Sequence, residues 1–267
     1  MDDVFTITKP TTAAIPILLS SPHSGSHIPQ DIATTMTDAG RSSQDTDLFV
    51  DELYGFGPSI GCTLIAAKNS RYVIDLNRDP GGAALYNDGR HITALVPVTT
   101  FDEEPIYEQQ EPDQTEIARR VATYRDPYFS GLSEHLNALQ EHATNGQALI
   151  WDCHSIKRHV RSISAKPFPD LILGNADGTT CDPALLDRAR EQLAAAGFEV
   201  SVNHPFKGGF ITRHFGQPDN GRHAIQLEMC QDIYMNEADR TRNLVKEKLV
   251  GEALAKTLQA VAEVLRG

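Results

Sequence analysis

Ala148–Ile156 reads A-L-I-W-D-C-H-S-I, an apolar run that stops abruptly on Asp152, His154 and Ser155. A near-continuous apolar run is what a strand buried on both faces requires, and such strands belong to parallel sheets covered by helices. In open α/β sheets ligands sit at the carboxyl ends of the strands. A strand that ends on an acid and a histidine is therefore a candidate place to hold a metal or a reacting group. Asp152 lies two residues before His154, a strand spacing that puts both side chains on one face.

Three other short runs end the same way. Ile15–Ser20 (I-P-I-L-L-S) leads into Pro22-His23-Ser24-Gly25. Tyr72–Leu76 (Y-V-I-D-L) is expected to pair with Cys62–Ala67 across a Lys68-Asn69-Ser70 turn, and it ends in Asn77-Arg78. His223–Glu228 (H-A-I-Q-L-E) ends on Glu228. Asp170–Leu173 and Glu199–Asn203 are further short strands. Between them fall helical patterns. One starts near the acidic stretch Asp45–Glu52. Another covers Thr115–His142 with a break at Asp126-Pro127. A third runs from Asp182-Pro183 to a stop at Gly197. The last carries Leu254, Leu258, Val261 and Leu265 at helical intervals. The segment Asp79–Asp113 is rich in Gly, Pro and acids and is expected as an irregular excursion over the site. Strands alternating with helices predict an α/β fold with a largely parallel sheet covered on both faces. No linker or repeat divides the chain, so 1–267 is expected as one domain.

Composition narrows the function. The 267 residues carry a net charge of -12, which argues against nucleic acid or an anionic membrane as partner, since both demand basic patches. The start, Met1-Asp2-Asp3-Val4, lacks the basic residues and apolar core of a signal peptide. No apolar run approaches a membrane span. Cys62, Cys153, Cys181 and Cys230 are scattered without C-x-x-C spacing, so a reduced, cytoplasmic setting is expected.

The candidate chemistry lies at the strand ends. Two histidines and a carboxylate with an open fourth position make a catalytic zinc site. His23 and His154 supply the histidines, and Asp45, Asp47, Asp51 and Glu52 are the acids on offer. Taken singly, each histidine reads equally as a polar loop residue; at equivalent positions on separate strands, the ligand reading leads. Asp152 is either a carboxylate supporting the site or a capping group. Arg71, Asn77 and Arg78 suggest a pocket for an anionic substrate, because arginine grips carboxylates in a bidentate fork. The plainer reading pairs the arginines with Asp75 and Asp79. Glu228 is a candidate general base, or else an edge residue in solvent. Asn203–Arg213 (N-H-P-F-K-G-G-F-I-T-R) adds Arg213 as another anion contact, or is a glycine-containing hairpin.

P-H-S-G at Pro22–Gly25, D-T-D at Asp45–Asp47, D-L-N-R-D-P at Asp75–Pro80 and D-C-H-S-I at Asp152–Ile156 resemble the N-formylglutamate amidohydrolases. So do T-T-F-D-E-E-P-I-Y at Thr99–Tyr107, the Asn203–Arg213 stretch and Q-L-E-M at Gln226–Met229. The resemblance spans about residues 15 to 240 and is specific to the family, not to one substrate. It implies a zinc-dependent amide hydrolase related to zinc carboxypeptidases and aspartoacylase. The implied fold is a three-layer αβα sandwich with a mostly parallel mixed sheet, phosphorylase/hydrolase-like. Those relatives use H-x-x-E plus a later His, whereas Ser26 stands three residues after His23 here. The implied ligands of one divalent ion per chain are therefore His23, Asp47 and His154, with Asp45 and Asp51 open as alternatives to Asp47. Glu228 would activate the metal-bound water and Arg71 would help stabilise the oxyanion. Asn77, Arg78 and Arg213 would fix the carboxylates of N-formyl-L-glutamate. The products would be formate and L-glutamate, a step of histidine degradation.

Two rival readings follow. One is a deacylase of another N-acyl amino acid, or a carboxypeptidase-like hydrolase, on the same scaffold. Its discriminating pocket walls are expected in Asp79–Asp113 and Asn203–Arg213. The other is a zinc-containing binding protein without turnover, which would have no use for a general base beside a metal.

Overall fold

Strands β1 (Phe5–Thr8), β2 (Ile17–Ser21), β3 (Thr63–Ala67), β4 (Ala148–Ile156), β5 (Leu171–Gly174), β6 (Val200–Val202) and β7 (Arg222–Cys230) form one sheet. Their order across it is β1-β3-β2-β4-β7-β5-β6. The structure, a computed structural model, describes residues 4–83 and 93–267. Residues 84–92 of the expected Asp79–Asp113 excursion, and the first three residues of the acidic start, lie outside the described residues.

The centre of the sheet is parallel: β3 pairs with β2, β2 with β4, and β4 with β7 in one direction. β1 and β5 run antiparallel to their neighbours β3 and β7, and β6 follows β5. The sheet is thus mixed and mostly parallel, as expected. All nine residues of β4 are buried, which explains why its sequence reads as a continuous run rather than an alternation.

Helices cover both faces. On one side, Leu149, Trp151 and Cys153 of β4 and Ile225, Leu227 and Met229 of β7 share a core with the helices Pro183–Ala195 and Leu244–Arg266. On the other, Leu18, Ile65, Ala148, Ile150 and Ala224 pack against the helices Asp126–His142 and Phe210–Phe215. The helix from Pro183 opens as its sequence predicts: Asp182 accepts from the Ala184 amide, and Pro183 occupies the first turn, where an N–H is not needed. Among the described residues, no helix is long and apolar enough to cross a membrane.

Three expectations need correcting. Tyr72–Leu76 is buried but is not a strand. Ser70 Oγ accepts from Tyr72 N at 3.1 Å, Asp75 Oδ1 accepts from Asn77 N just beyond the segment at 2.9 Å, and the Asp75 amide goes to Leu95 O at 2.7 Å rather than to a neighbouring strand. Short polar side chains that serve their own backbone in this way compete with a sheet ladder. The helix expected near Asp45 begins only at Val50 and passes into a 3₁₀ turn at Tyr54–Ile60. Asp45 and Asp47 are instead drawn inward and buried. The break expected at Asp126-Pro127 is a π turn, Val121–Arg125, between the helices Gln114–Arg120 and Asp126–His142. The wider turn accommodates a proline that lacks an N–H and crowds the preceding turn.

Candidate metal centre and catalytic cleft

Strand alternation builds the site. Ser20, Asp152 and Gln226 occupy one row across β2, β4 and β7. His154 and Glu228 form the next row on β4 and β7. The row below, Leu18, Ile150 and Ala224, is apolar core on the same face. The polar groups thus begin toward the carboxyl ends of the parallel strands, where Thr212 of the Phe210–Phe215 helix donates to Asp152 Oδ2 at 3.2 Å.

His23 reaches the same place from the loop after β2. The Asp47 amide donates to His23 O at 3.0 Å, tying the D-T-D segment alongside. Asp47 Oδ2 lies 3.1 Å from His154 Nδ1 and 3.7 Å from His23 Nδ1, and accepts from the Ser155 amide at 3.2 Å. Among the described residues, His23, Asp47 and His154 form a buried group whose ligand atoms lie within 4.8 Å of one another. Asp45 is turned away. Its Oδ2 accepts from the Tyr72 hydroxyl at 2.5 Å and the Phe101 amide at 2.8 Å, fastening the Thr99–Tyr107 segment beside the site.

Both imidazoles are held from behind. His23 Nε2 meets Asp75 Oδ1 at 2.8 Å, and His154 Nε2 meets Asp152 Oδ2 at 3.2 Å. With its proton on Nε2, the His23 ring keeps Nδ1 for the centre, whereas His154 presents Nδ1 to Asp47 Oδ2 and Nε2 to both Asp152 and the Asn77 amide. A carboxylate behind a histidine is the usual way of fixing the tautomer of a metal ligand. His23 Nδ1 and Asp47 Oδ1 are buried without a hydrogen-bond partner among the described residues. Unpartnered buried polar atoms are costly. Two of them converging from a set of two imidazoles and a carboxylate fit a divalent ion of the zinc type.

The electrostatics agree. Burial, then the nearby Arg71 charge, lowers the pKa of His23, favouring the neutral ring that a ligand requires. Burial opposes charge on His154, but Asp152 and Asp47 outweigh it and raise the pKa well above the usual value. Surroundings that favour a proton there favour a cation equally. Burial also works against an ionised Asp47, yet the His154 hydrogen bond and the neighbouring positive groups hold it ionised. Glu228 differs: burial dominates and pushes its carboxyl up to about 8. Its Oε2 receives one bond, from Gln226 Nε2 at 3.3 Å.

The remaining expected residues divide. Arg71 and Asp75 show the ion pair of the plainer reading, with Nη2 2.7 Å from Asp75 Oδ2. Arg71 Nη1 is held loosely, 3.5 Å from Asp45 O and 3.7 Å from Asp47 Oδ1, and Phe101 lies under the guanidinium. Asn77, expected to grip substrate, is engaged at both ends of its amide. Nδ2 lies 2.9 Å from His154 Nε2 and 3.4 Å from Asp152 Oδ2, while Oδ1 accepts from the Ile211 amide at 2.8 Å. Gly209 packs directly on that amide, leaving no space for a Cβ. Arg78 bonds to Thr93 through Nε and Nη2. Arg213 Nε donates to Gly208 O at 3.0 Å. Asn203–Arg213 is not a hairpin; it leads into the helix Phe210–Phe215. Sequence reasoning placed Asp75 in a salt-bridge cluster and did not identify it as the partner of His23.

A family model described as N-formylglutamate amidohydrolase matches residues 15–235. An N-formylglutamate deformylase of Pseudomonas aeruginosa is 38% identical over 261 residues, covering 93% of this chain and 96% of that protein. One from Pseudomonas putida is 37% identical over 227 residues, covering 84% of each. Among solved structures, an N-formylglutamate amidohydrolase from Ralstonia eutropha superposes with a TM-score of 0.85 at 29% identity, covering 98% of both chains.

Proposed function

This chain belongs to the N-formylglutamate amidohydrolase family and is an amidohydrolase, and from that premise we propose that it hydrolyses N-formyl-L-glutamate to formate and L-glutamate with the help of a zinc ion. The name shared by its two Pseudomonas relatives supports the substrate. The observation that carries the chemistry is the convergence of His23, Asp47 and His154, with unpartnered donor atoms, beside a buried glutamate.

His23 and His154 would hold the ion through Nδ1 and Asp47 through its carboxylate. The ion when bound supplies a Lewis acid and makes a coordinated water more acidic. Glu228 Oε takes the proton of the attacking water and passes it to the leaving nitrogen. Arg71 Nη1 is the donor for the developing oxyanion, since Nη2 is tied to Asp75. Asn77 keeps His154 and Asp152 in register, and Arg78 and Arg213 meet the substrate's α-carboxylate. We read 1–267 as one catalytic domain acting on a small anionic N-acyl amino acid. Its net charge of -12 argues against nucleic acid or an anionic membrane as its partner.

The test is formate release from N-formyl-L-glutamate by the purified protein, before and after chelation and again with zinc restored. Turnover that disappears with chelator and returns with zinc supports both substrate and ion. Turnover of other N-formyl or N-acyl amino acids in its place moves the substrate and keeps the class.

A further inference from the structure

Arg125 closes the π turn ahead of the helix Asp126–His142, and none of the roles above uses it. It is 7% exposed, and its Nε has no hydrogen-bond partner among the described residues. Its ion pair with Asp126 is long, 3.7 Å, and reaches a carboxylate that is itself mostly in solvent. The rest of its surroundings are aromatic. The guanidinium carbon lies 3.9 Å from the Phe129 ring centroid and 5.2 Å from that of Phe210. Ring faces attract a cation, but they do not replace the hydration that burial removes. A guanidinium lying against rings keeps its N–H edge for an anion approaching in its plane. Arg71 and Arg78 differ, each having close oxygen partners.

The position connects Arg125 to the cleft. Phe210 follows Gly209, whose amide donates to Gln226 Oε1 at 2.7 Å. The Phe210 amide donates to Asn77 O at 3.4 Å, and the next amide, Ile211, to Asn77 Oδ1. The ring beneath Arg125 thus belongs to the segment that secures Asn77 and, through it, His154.

We propose that Arg125 receives the side-chain carboxylate of the substrate and so selects dicarboxylic over monocarboxylic N-acyl amino acids. This rests on His23, Asp47 and His154 being the hydrolytic centre. A carboxylate in that position supplies the oxygen acceptors that the buried fork lacks, and the aromatic frame holds the fork flat to meet both oxygens. Arg125 is a specificity residue; the formyl group reacts elsewhere.

The experiment compares wild type, Arg125→Met and Arg125→Lys as full chains. It measures kcat/KM for N-formyl-L-glutamate and for N-formyl-L-norvaline, which keeps the chain length without the second carboxylate. The ratio of the two should fall roughly 10- to 100-fold in Arg125→Met, chiefly through KM for the glutamate derivative, the range expected when a hydrogen bond to a charged group is lost. Arg125→Lys should recover part of it. An unchanged ratio, or an equal loss on both substrates accompanied by a lower Tm, overturns the proposal. Calorimetric binding of L-glutamate to wild type and Arg125→Met separates this from failure of the deformylase reading. If neither formyl compound is hydrolysed, weaker L-glutamate binding by the variant still sustains the subsite, and equal binding overturns it.

Discussion

The two faces of β4 and β7 differ in where their apolar pattern stops. On one face Leu149, Trp151 and Cys153, with Ile225, Leu227 and Met229, form an apolar core beneath the Pro183–Ala195 and Leu244–Arg266 helices, with His223 and Ser155 as polar residues only at its two ends. On the other, Ala148, Ile150 and Ala224 are core, and then Asp152, His154, Gln226 and Glu228 take over, still buried. Stability and chemistry therefore come from alternate residues of the same two strands. Adjacent positions should respond to mutation in opposite ways.

Glu228→Gln should show the largest effect on function. It preserves size and hydrogen bonding but removes the base, so kcat for formate release should fall by about 10² to 10⁴, with Tm unchanged or higher. A fall in Tm with kcat retained would make Glu228 part of the core. One position away, Leu227→Ala should do the reverse. Leu227 is fully buried, and truncation should cost about 2–5 kcal/mol in chemical denaturation while kcat per folded molecule holds. Asp152→Asn should be gentler, reducing zinc affinity by about 10- to 100-fold in competition with a chelator, because Asp152 acts on His154 from behind. An unchanged affinity would mean that Asn77 alone orients that ring.

The last prediction concerns pH dependence. Burial raises the Glu228 pKa from its ordinary value of 4.5 to about 8. A carboxyl raised on folding binds its proton more tightly in the native state, so its contribution is complete below the unfolded pKa. The contribution fades as pH climbs through the folded value. Chelator-treated wild type should therefore lose stability relative to Glu228→Gln between about pH 4.5 and 8, at no more than about 1.4 kcal/mol per pH unit. Parallel pH curves for the two proteins would refute the assignment.

How much of this is legible in the sequence follows from the same contrast. His23, His154 and Glu228 stand out because each ends an apolar run, and strand alternation then places Asp152 with His154 and Gln226 with Glu228. The layers follow from helical and strand periods that the structure keeps. Asp75 is not legible, because Tyr72–Leu76 has the composition of a strand and only the turn formed by Ser70 and Asp75 aims the carboxylate at His23. Nor is the engagement of Asn77, which depends on a segment more than 130 positions later. The acid row Asp45–Glu52 offers several ligands by composition. What separates Asp47 from Asp45 is that Tyr72 and Phe101 hold one while the two histidines meet the other. Contacts set by tertiary packing leave no period in the chain.

Nine consecutive residues of β4 are matched with nine of β7, and His154 sits directly across from Glu228 in that ladder. The spacing between one candidate ligand and the candidate base is therefore a backbone dimension, the fixed distance between neighbouring strands. It resembles a gauge cut into the frame: remodelling the loops around the cleft cannot lengthen or shorten it. A slip of one residue would exchange Glu228 for Leu227 or Met229 and present grease to the cleft. The spacing of His154 and Glu228 then has no graded, loosened form, unlike that of His23 and Asp47, which loops supply. Wherever these two strands are zipped in register that spacing is present, and the loops need only bring His23 and Asp47 to it.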